Sequence, residues 1–230
     1  MESMSRKFAT LSSRLTPLLM ALSAGALLVV AFGCSSSGGE VSSPPLLNPK
    51  FTSAQVQQGR SLVLALGCSD CHNAGKNDPS DSVWLSGYHV GTPGQPFQIG
   101  PFKTYPANLT PDDTGLGMHD DRQVYNALKY GLDPEDTPSA IITSATPGVG
   151  NFPVAPHYLA PPMPWTAIRH LTDAQIWAIV GYLKHGIKGV NNTVTSSDSP
   201  PDFWASSYTD DKVGPANVPA YPASNEQFVP

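Results

Sequence analysis

Apolar positions recur at helical intervals in three stretches of this chain, separated by polar sequence rich in Gly and Pro. In the first, Val56, Gly59, Val63 and Leu66 share one face. Thr52 with Gln55 has capping-box spacing and Phe51 with Val56 has hydrophobic-staple spacing, so a helix is expected to open there and to end at Gly67. Glycine inside a helix costs about 1 kcal/mol relative to alanine, which makes sense at Gly59 if a second helix crosses closely there. The second stretch sets Val124, Ala127 and Leu128 on one face behind an Asp120–Gln123 pair, with Gly131 as C-cap, and predicts a helix over 121–130. The third is marked at both ends. Thr172 with Gln175 fits a capping box and Leu171 with Ile176 a staple, while Lys184 and His185 fill the last turn before Gly186. Between them Ile176, Ile179, Val180 and Leu183 form the apolar face, with Trp177 and Tyr182 beside it.

The intervening segments, Asn73–Pro111 and Asp133–Pro156, show no period and read as loops. The first carries Trp84, Tyr88, Phe97, Phe102 and Tyr105, which suit either anchors on a small core or contacts to the edge of a bound group. With 24 prolines, 20 glycines and 13% charged residues in 230 positions, the composition fits a small domain whose long loops wrap something other than protein.

The chemistry is concentrated in Cys68-Ser69-Asp70-Cys71-His72. Two thiols three apart, followed at once by an imidazole, form the C-x-x-C-H signature of c-type haem attachment. Each cysteine can form a thioether to one haem vinyl group, which leaves His72 beneath the iron as proximal ligand. The competing readings are two buried cysteines beside a surface histidine, or half of a zinc site. Zinc would require two further Cys or His ligands, and the one remaining cysteine, Cys34, lies in an export signal. The opposite axial position points to Pro161-Pro162-Met163-Pro164-Trp165. A thioether sulfur is a neutral, soft ligand for haem iron, and flanking prolines restrict the backbone that presents it. Met163 is the favoured ligand over a gap-filling role; Met118, His89, His119, His157, His170 and His185 remain alternatives.

The ends of the chain add a location. Arg6, Lys7 and Arg14 precede an apolar run from Leu18 to Phe32, as in an export signal over 1–33. Val30-Ala31-Phe32-Gly33-Cys34 resembles a bacterial lipoprotein lipobox with Cys34 as the acylated first mature residue, although bulky Phe32 departs from that pattern. An ordinary cleaved signal and an uncleaved anchor are the alternatives. Residues 34–50 then form a Ser/Gly-containing tether. The domain is expected over 51–190, and a Ser-, Pro- and Asp-rich tail over 191–230. Such tails are mostly mobile, but Phe203, Trp204, Tyr208 and Tyr221 leave open that this one wraps the domain or docks on a partner. A formal charge of −5 suits a soluble or peripheral redox protein and gives no support to nucleic-acid binding.

Together these segments resemble a class I c-type cytochrome, and most specifically the single-haem modules in cytochrome subunits of bacterial membrane-associated dehydrogenases. The similarity rests on the Gly59-containing helix leading to His72 and on Pro101-Phe102-Lys103-Thr104-Tyr105. It continues through Asn108-Leu109-Thr110-Pro111-Asp112 and Thr114-Gly115-Leu116-Gly117, the Pro-Met-Pro loop, and the final helix from Leu171 to Leu183. The resemblance implies an all-α, class I cytochrome c-like fold, a few helices with long loops around one covalently bound haem c. It implies thioethers at Cys68 and Cys71, iron ligands at His72 and Met163, and a helix crossing at Gly59 and Tyr182. The two long loops and the tail depart from a minimal module, and a single haem motif stands where many such subunits carry several. The expected role is a lipid-tethered electron carrier on the periplasmic side of a bacterial membrane, not an enzyme in itself. Its donor would be a dehydrogenase or a quinol-oxidising complex and its acceptor an oxidase or reductase. A haem enzyme or sensor with a displaceable sixth ligand, and a structural haem subunit of a larger complex, are the competing functions.

Overall fold

The three long helices begin on the capping boxes written in the sequence. In the computed structural model, which describes residues 49–197 and 205–216, helix α1 runs Ser53–Ala65. The Gln55 amide donates to Thr52 Oγ1 at 3.3 Å, and the Thr52 amide donates to Gln55 Oε1 at 2.9 Å. The C-x-x-C-H segment forms a short helix of its own, α2 (Cys68–His72). An antiparallel hairpin follows, β1 (Phe97–Ile99) and β2 (Phe102–Thr104), with Phe97 opposite Thr104 and Ile99 opposite Phe102. Helix α3 spans Asp121–Tyr130, α4 Trp165–Ile168, α5 Asp173–His185 and α6 Asp210–Val213. The expected export signal over 1–33, Cys34, almost all of the tether, and the tail at 198–204 and 217–230 lie outside the described residues.

The main core forms where α1 crosses α5. At the crossing, a Cβ on Gly59 would collide with the Ala178 backbone carbonyl and stand 2.9 Å from Tyr182 Cβ, so only glycine admits this approach. Gly181 returns the favour on α5, its bare face meeting the Phe51 ring. Val63, Ile176, Val180 and Leu85 are sealed from solvent there, with Ile179 and Leu183 nearly so. Full burial of such side chains contributes about 1.5–3 kcal/mol each. Helix α3 is fastened to α5 through stacked Tyr125 and Trp177 rings, 4.5 Å between centroids, with the Arg122 guanidinium 4.5 Å from the Trp177 ring.

The two segments expected as loops are more organised than their composition suggests. The first contains the β1–β2 hairpin, and its Trp84 is buried with Nε1 donating to the Tyr182 hydroxyl at 3.0 Å. The second builds a satellite core from Leu132, Ile142 and Phe152, with Tyr130 and Tyr158 against it. The tail also stays with the domain in its described part. Asn192 hydrogen-bonds to Asn108 and Thr114, and Tyr208 sits 4.7 Å from the Trp165 ring centre. Among the described residues no helix is long and apolar enough to cross a membrane.

Candidate functional site

Gly67 separates α1 from α2 in a left-handed conformation (φ +67°), and the space a side chain would occupy is taken by the Asp70 carboxylate, 2.7 Å away. This sharp junction sets α2 off from α1 and turns Cys68, Cys71 and His72 out of the first helix. Both thiols are free and half-buried. Burial pushes the Cys68 thiol up to about 11 and raises Cys71 as well, with the Asp70 charge adding to both. At neutral pH they are thiols. The Cys71 carbonyl is held from outside by the Gln95 side-chain amide.

His72 is buried at 8% exposure, and its Nδ1 lies 2.7 Å from the Ala107 carbonyl oxygen. A carbonyl only accepts, so Nδ1 carries the proton and donates it. Burial lowers the His72 pKa below its ordinary value, against a smaller opposing effect of the Ala107 bond. The ring is therefore neutral, with its lone pair on Nε2, and no hydrogen bond among the described residues engages that nitrogen. Metal-ligating imidazoles are oriented this way, by a hydrogen bond on the far nitrogen that fixes the tautomer and raises ligand basicity.

The Ala107 carbonyl is itself well supported. Strands of loop at 85–88 and 106–109 run side by side, Tyr88 N donating to Pro106 O at 2.8 Å and Leu109 N to Leu85 O at 2.9 Å. Gly87 closes the arrangement by donating its amide to His72 O at 2.9 Å.

Met163 approaches from the other side of the sequence and packs, partly buried, against the same apolar cluster that Cys68 touches. Its loop is held on the N-terminal side of the methionine. Thr104 Oγ1, at the end of β2, donates to Pro161 O at 3.0 Å, and Leu159 N donates to Gly131 O at 2.7 Å. Beyond it, Trp165 seats its indole over Gly131, whose left-handed φ of +69° caps α3 and leaves no room for a Cβ. Buried Lys129 then ties α3 to the start of α5, 3.2 Å from the Asp173 carboxylate and 3.2 Å from Arg169 O. The alternative ligands are Met118 and five histidines. Met118 is 71% exposed, His157 pairs with Asp136 at 2.6 Å, His185 with Asp121 at 3.0 Å, and His89 hydrogen-bonds Ser86 at 2.9 Å. His170 is exposed, and His119 is half-buried with a pKa lowered by burial.

These donors fit a c-type haem: two free thiols, a neutral imidazole with Nε2 available, and a thioether against the same core. A zinc site fits less well. Among the described residues no group of three or more His, Cys, Asp or Glu side chains is placed to hold a metal ion, so Cys68 and Cys71 lack the further ligands zinc requires.

No family model matches the chain. Over 138 residues, 59% of its length, it is 25% identical to the fructose dehydrogenase cytochrome subunit of Gluconobacter japonicus. The chain is similar to a cytochrome subunit. The alignment covers 22% of that protein, so the chain spans about a fifth of the length of the curated relative it matches. This likeness to a dehydrogenase cytochrome subunit agrees with a cytochrome-type, electron-carrying role and with haem as a cofactor.

Sequence reasoning identified the ligand candidates but not their supports. Ala107, Gly87 and Thr104 act through backbone or a single hydroxyl; Thr104 lies in the Pro101–Tyr105 segment and Ala107 beside Asn108–Asp112, but neither segment declares the support it gives.

Proposed function

We propose that this chain is a single-haem c-type cytochrome, joined to its haem through Cys68 and Cys71, with His72 and Met163 on the iron, in a class I cytochrome c-like helical fold over 51–190. The observation that carries this reading is the His72 imidazole, on the same short helix as both thiols and held through Nδ1 by the Ala107 carbonyl. Bound haem c supplies reversible one-electron exchange between ferrous and ferric iron.

The chain's residues have distinct tasks around that exchange. Cys68 and Cys71 make attachment permanent, and Ala107 keeps Nε2 of His72 aimed and basic. Met163 brings a neutral sulfur, which favours the ferrous state and raises the potential. With the iron held by His72 and Met163, function would rest on potential and docking surface, and no catalytic acid or base would be required. The reading includes export and a lipid anchor at Cys34. Similarity to a dehydrogenase cytochrome subunit supports a dehydrogenase as donor; a quinol-oxidising complex is the other donor that fits, with an oxidase or reductase as acceptor.

The optical spectrum of the purified ferric protein tests the ligand set. We expect a low-spin spectrum with the weak far-red band of methionine ligation. Met163→Ala should abolish that band and lower the potential. A variant with both unchanged would remove Met163 from the iron, and ready binding of carbon monoxide by the unmodified protein would favour a displaceable ligand.

A further inference from the structure

The hydrogen bond that orients His72 depends on where Ala107 sits, and Ala107 is fixed by its contact with Gly87. Gly87 has φ +86°, and a Cβ on it would stand 2.6 Å from both Ala107 C and Pro106 O. Its amide donates to His72 O at 2.9 Å, so this one residue touches both partners of the imidazole–carbonyl pair. What holds Gly87 comes from beyond the last helix of the domain. The Asn192 side-chain amide donates to Ser86 O at 2.7 Å and to Tyr88 O at 3.0 Å, the carbonyls on either side of Gly87.

Asn192 is anchored in turn. Its backbone amide donates to Thr114 Oγ1 at 2.9 Å. Its carbonyl accepts from Nδ2 of Asn108 at 3.3 Å, and the same Nδ2 donates to Val190 O at 2.8 Å. Asn108 is 3% exposed and adjoins Ala107, and its Oδ1 accepts from the Thr110 amide and hydroxyl at 3.0 and 2.8 Å. The two asparagines thus bind the C-terminal segment to both loops that meet under His72.

We propose that Asn192 is a positioning residue for His72, clamping Gly87 so that the Ala107 carbonyl stays on Nδ1. The inference rests on His72 being the haem ligand. A firm acceptor on Nδ1 makes the imidazole a stronger donor to ferric iron; loosening the clamp weakens that donation and shifts the potential upward.

The test uses the full-length exported holoprotein with Asn192→Ala and with Asn192→Asp, which keeps the size but lacks the amide donor. Ser197→Ala is the control: it removes another tail contact, the bond from Tyr105 N at 3.1 Å, and leaves both Asn192 bonds to the carbonyls beside Gly87 in place. The measurements are hydrogen exchange of the His72 Nδ1 proton by NMR in the ferrous state, and the midpoint potential. Both Asn192 variants should exchange at least tenfold faster and show a raised potential, with the control unchanged. If they match the control in both readouts, or lose only thermal stability, the positioning role is overturned. A purified chain carrying no covalent haem would overturn the haem-ligand reading and this role together, whereas a holoprotein with unaltered His72 signals overturns this role alone.

Discussion

Replacing Gly59 with alanine sets two effects of opposite sign against each other. Helix propensity alone favours the change by up to about 1 kcal/mol, since glycine is the weaker helix former. Packing opposes it. The new methyl would fall inside contact distance of the Ala178 carbonyl and 2.9 Å from Tyr182 Cβ. Backbone atoms cannot swing aside as the end of a flexible side chain can, so α1 and α5 must separate where the main core is centred. Overpacking costs about 1–3 kcal/mol, and the upper end applies to a clash with backbone. The net expectation is a loss of about 2 kcal/mol. For a chain of this size that lowers Tm by roughly 4–8 °C. Ser61→Ala on the exposed side of α1 provides the reference, where better propensity should leave stability equal or slightly raised. Urea and thermal unfolding followed by far-UV circular dichroism would measure both. If Gly59→Ala proves as stable as the parent, or gains as the control does, the close helix crossing is refuted.

Other expectations follow from the same core. Tyr182→Phe leaves the buried Trp84 Nε1 without its 3.0 Å acceptor and should cost about 1–3 kcal/mol in urea unfolding, less if Trp84 has already been replaced by Phe. Burial raises the Tyr125 pKa well above the ordinary value of 10, with the Asp173 charge adding to the shift. Because the folded pKa exceeds the unfolded one, stability is full below about pH 10 and falls as the pH climbs from there towards the folded pKa. Tyr125→Phe should flatten that alkaline decline, and an unchanged slope in pH-dependent unfolding would argue against Tyr125 as its source.

The three long helices were legible because their signals are local. Capping boxes at Thr52, Asp120 and Thr172 act within one turn, and each forms both of its reciprocal bonds. Gly59 was legible for a different reason: a costly residue in a good helix implied a close neighbour, and Ala178 with Tyr182 is that neighbour. The α2 helix was hidden because Gly67 interrupts the run and five residues are too few to show a period. The hairpin at 97–104 was hidden by its short strands of three residues each, and the Leu132–Ile142–Phe152 core by prolines that mask any pattern. At the candidate site, Cys68, Cys71, His72 and Met163 declare themselves by residue type. Their supports do not. Ala107 contributes a carbonyl that any residue has, and Asn192 reaches Ser86 and Tyr88 across more than a hundred positions, a span over which sequence carries no periodic trace.

The central claim is covalent attachment of one haem at α2, and the intact mass of the denatured, purified chain after export tests it most directly. The polypeptide should be heavier by one haem, with the increment lost when Cys68 and Cys71 are both replaced by alanine. A chain with the mass of polypeptide alone, or a haem that dissociates on denaturation, would contradict it.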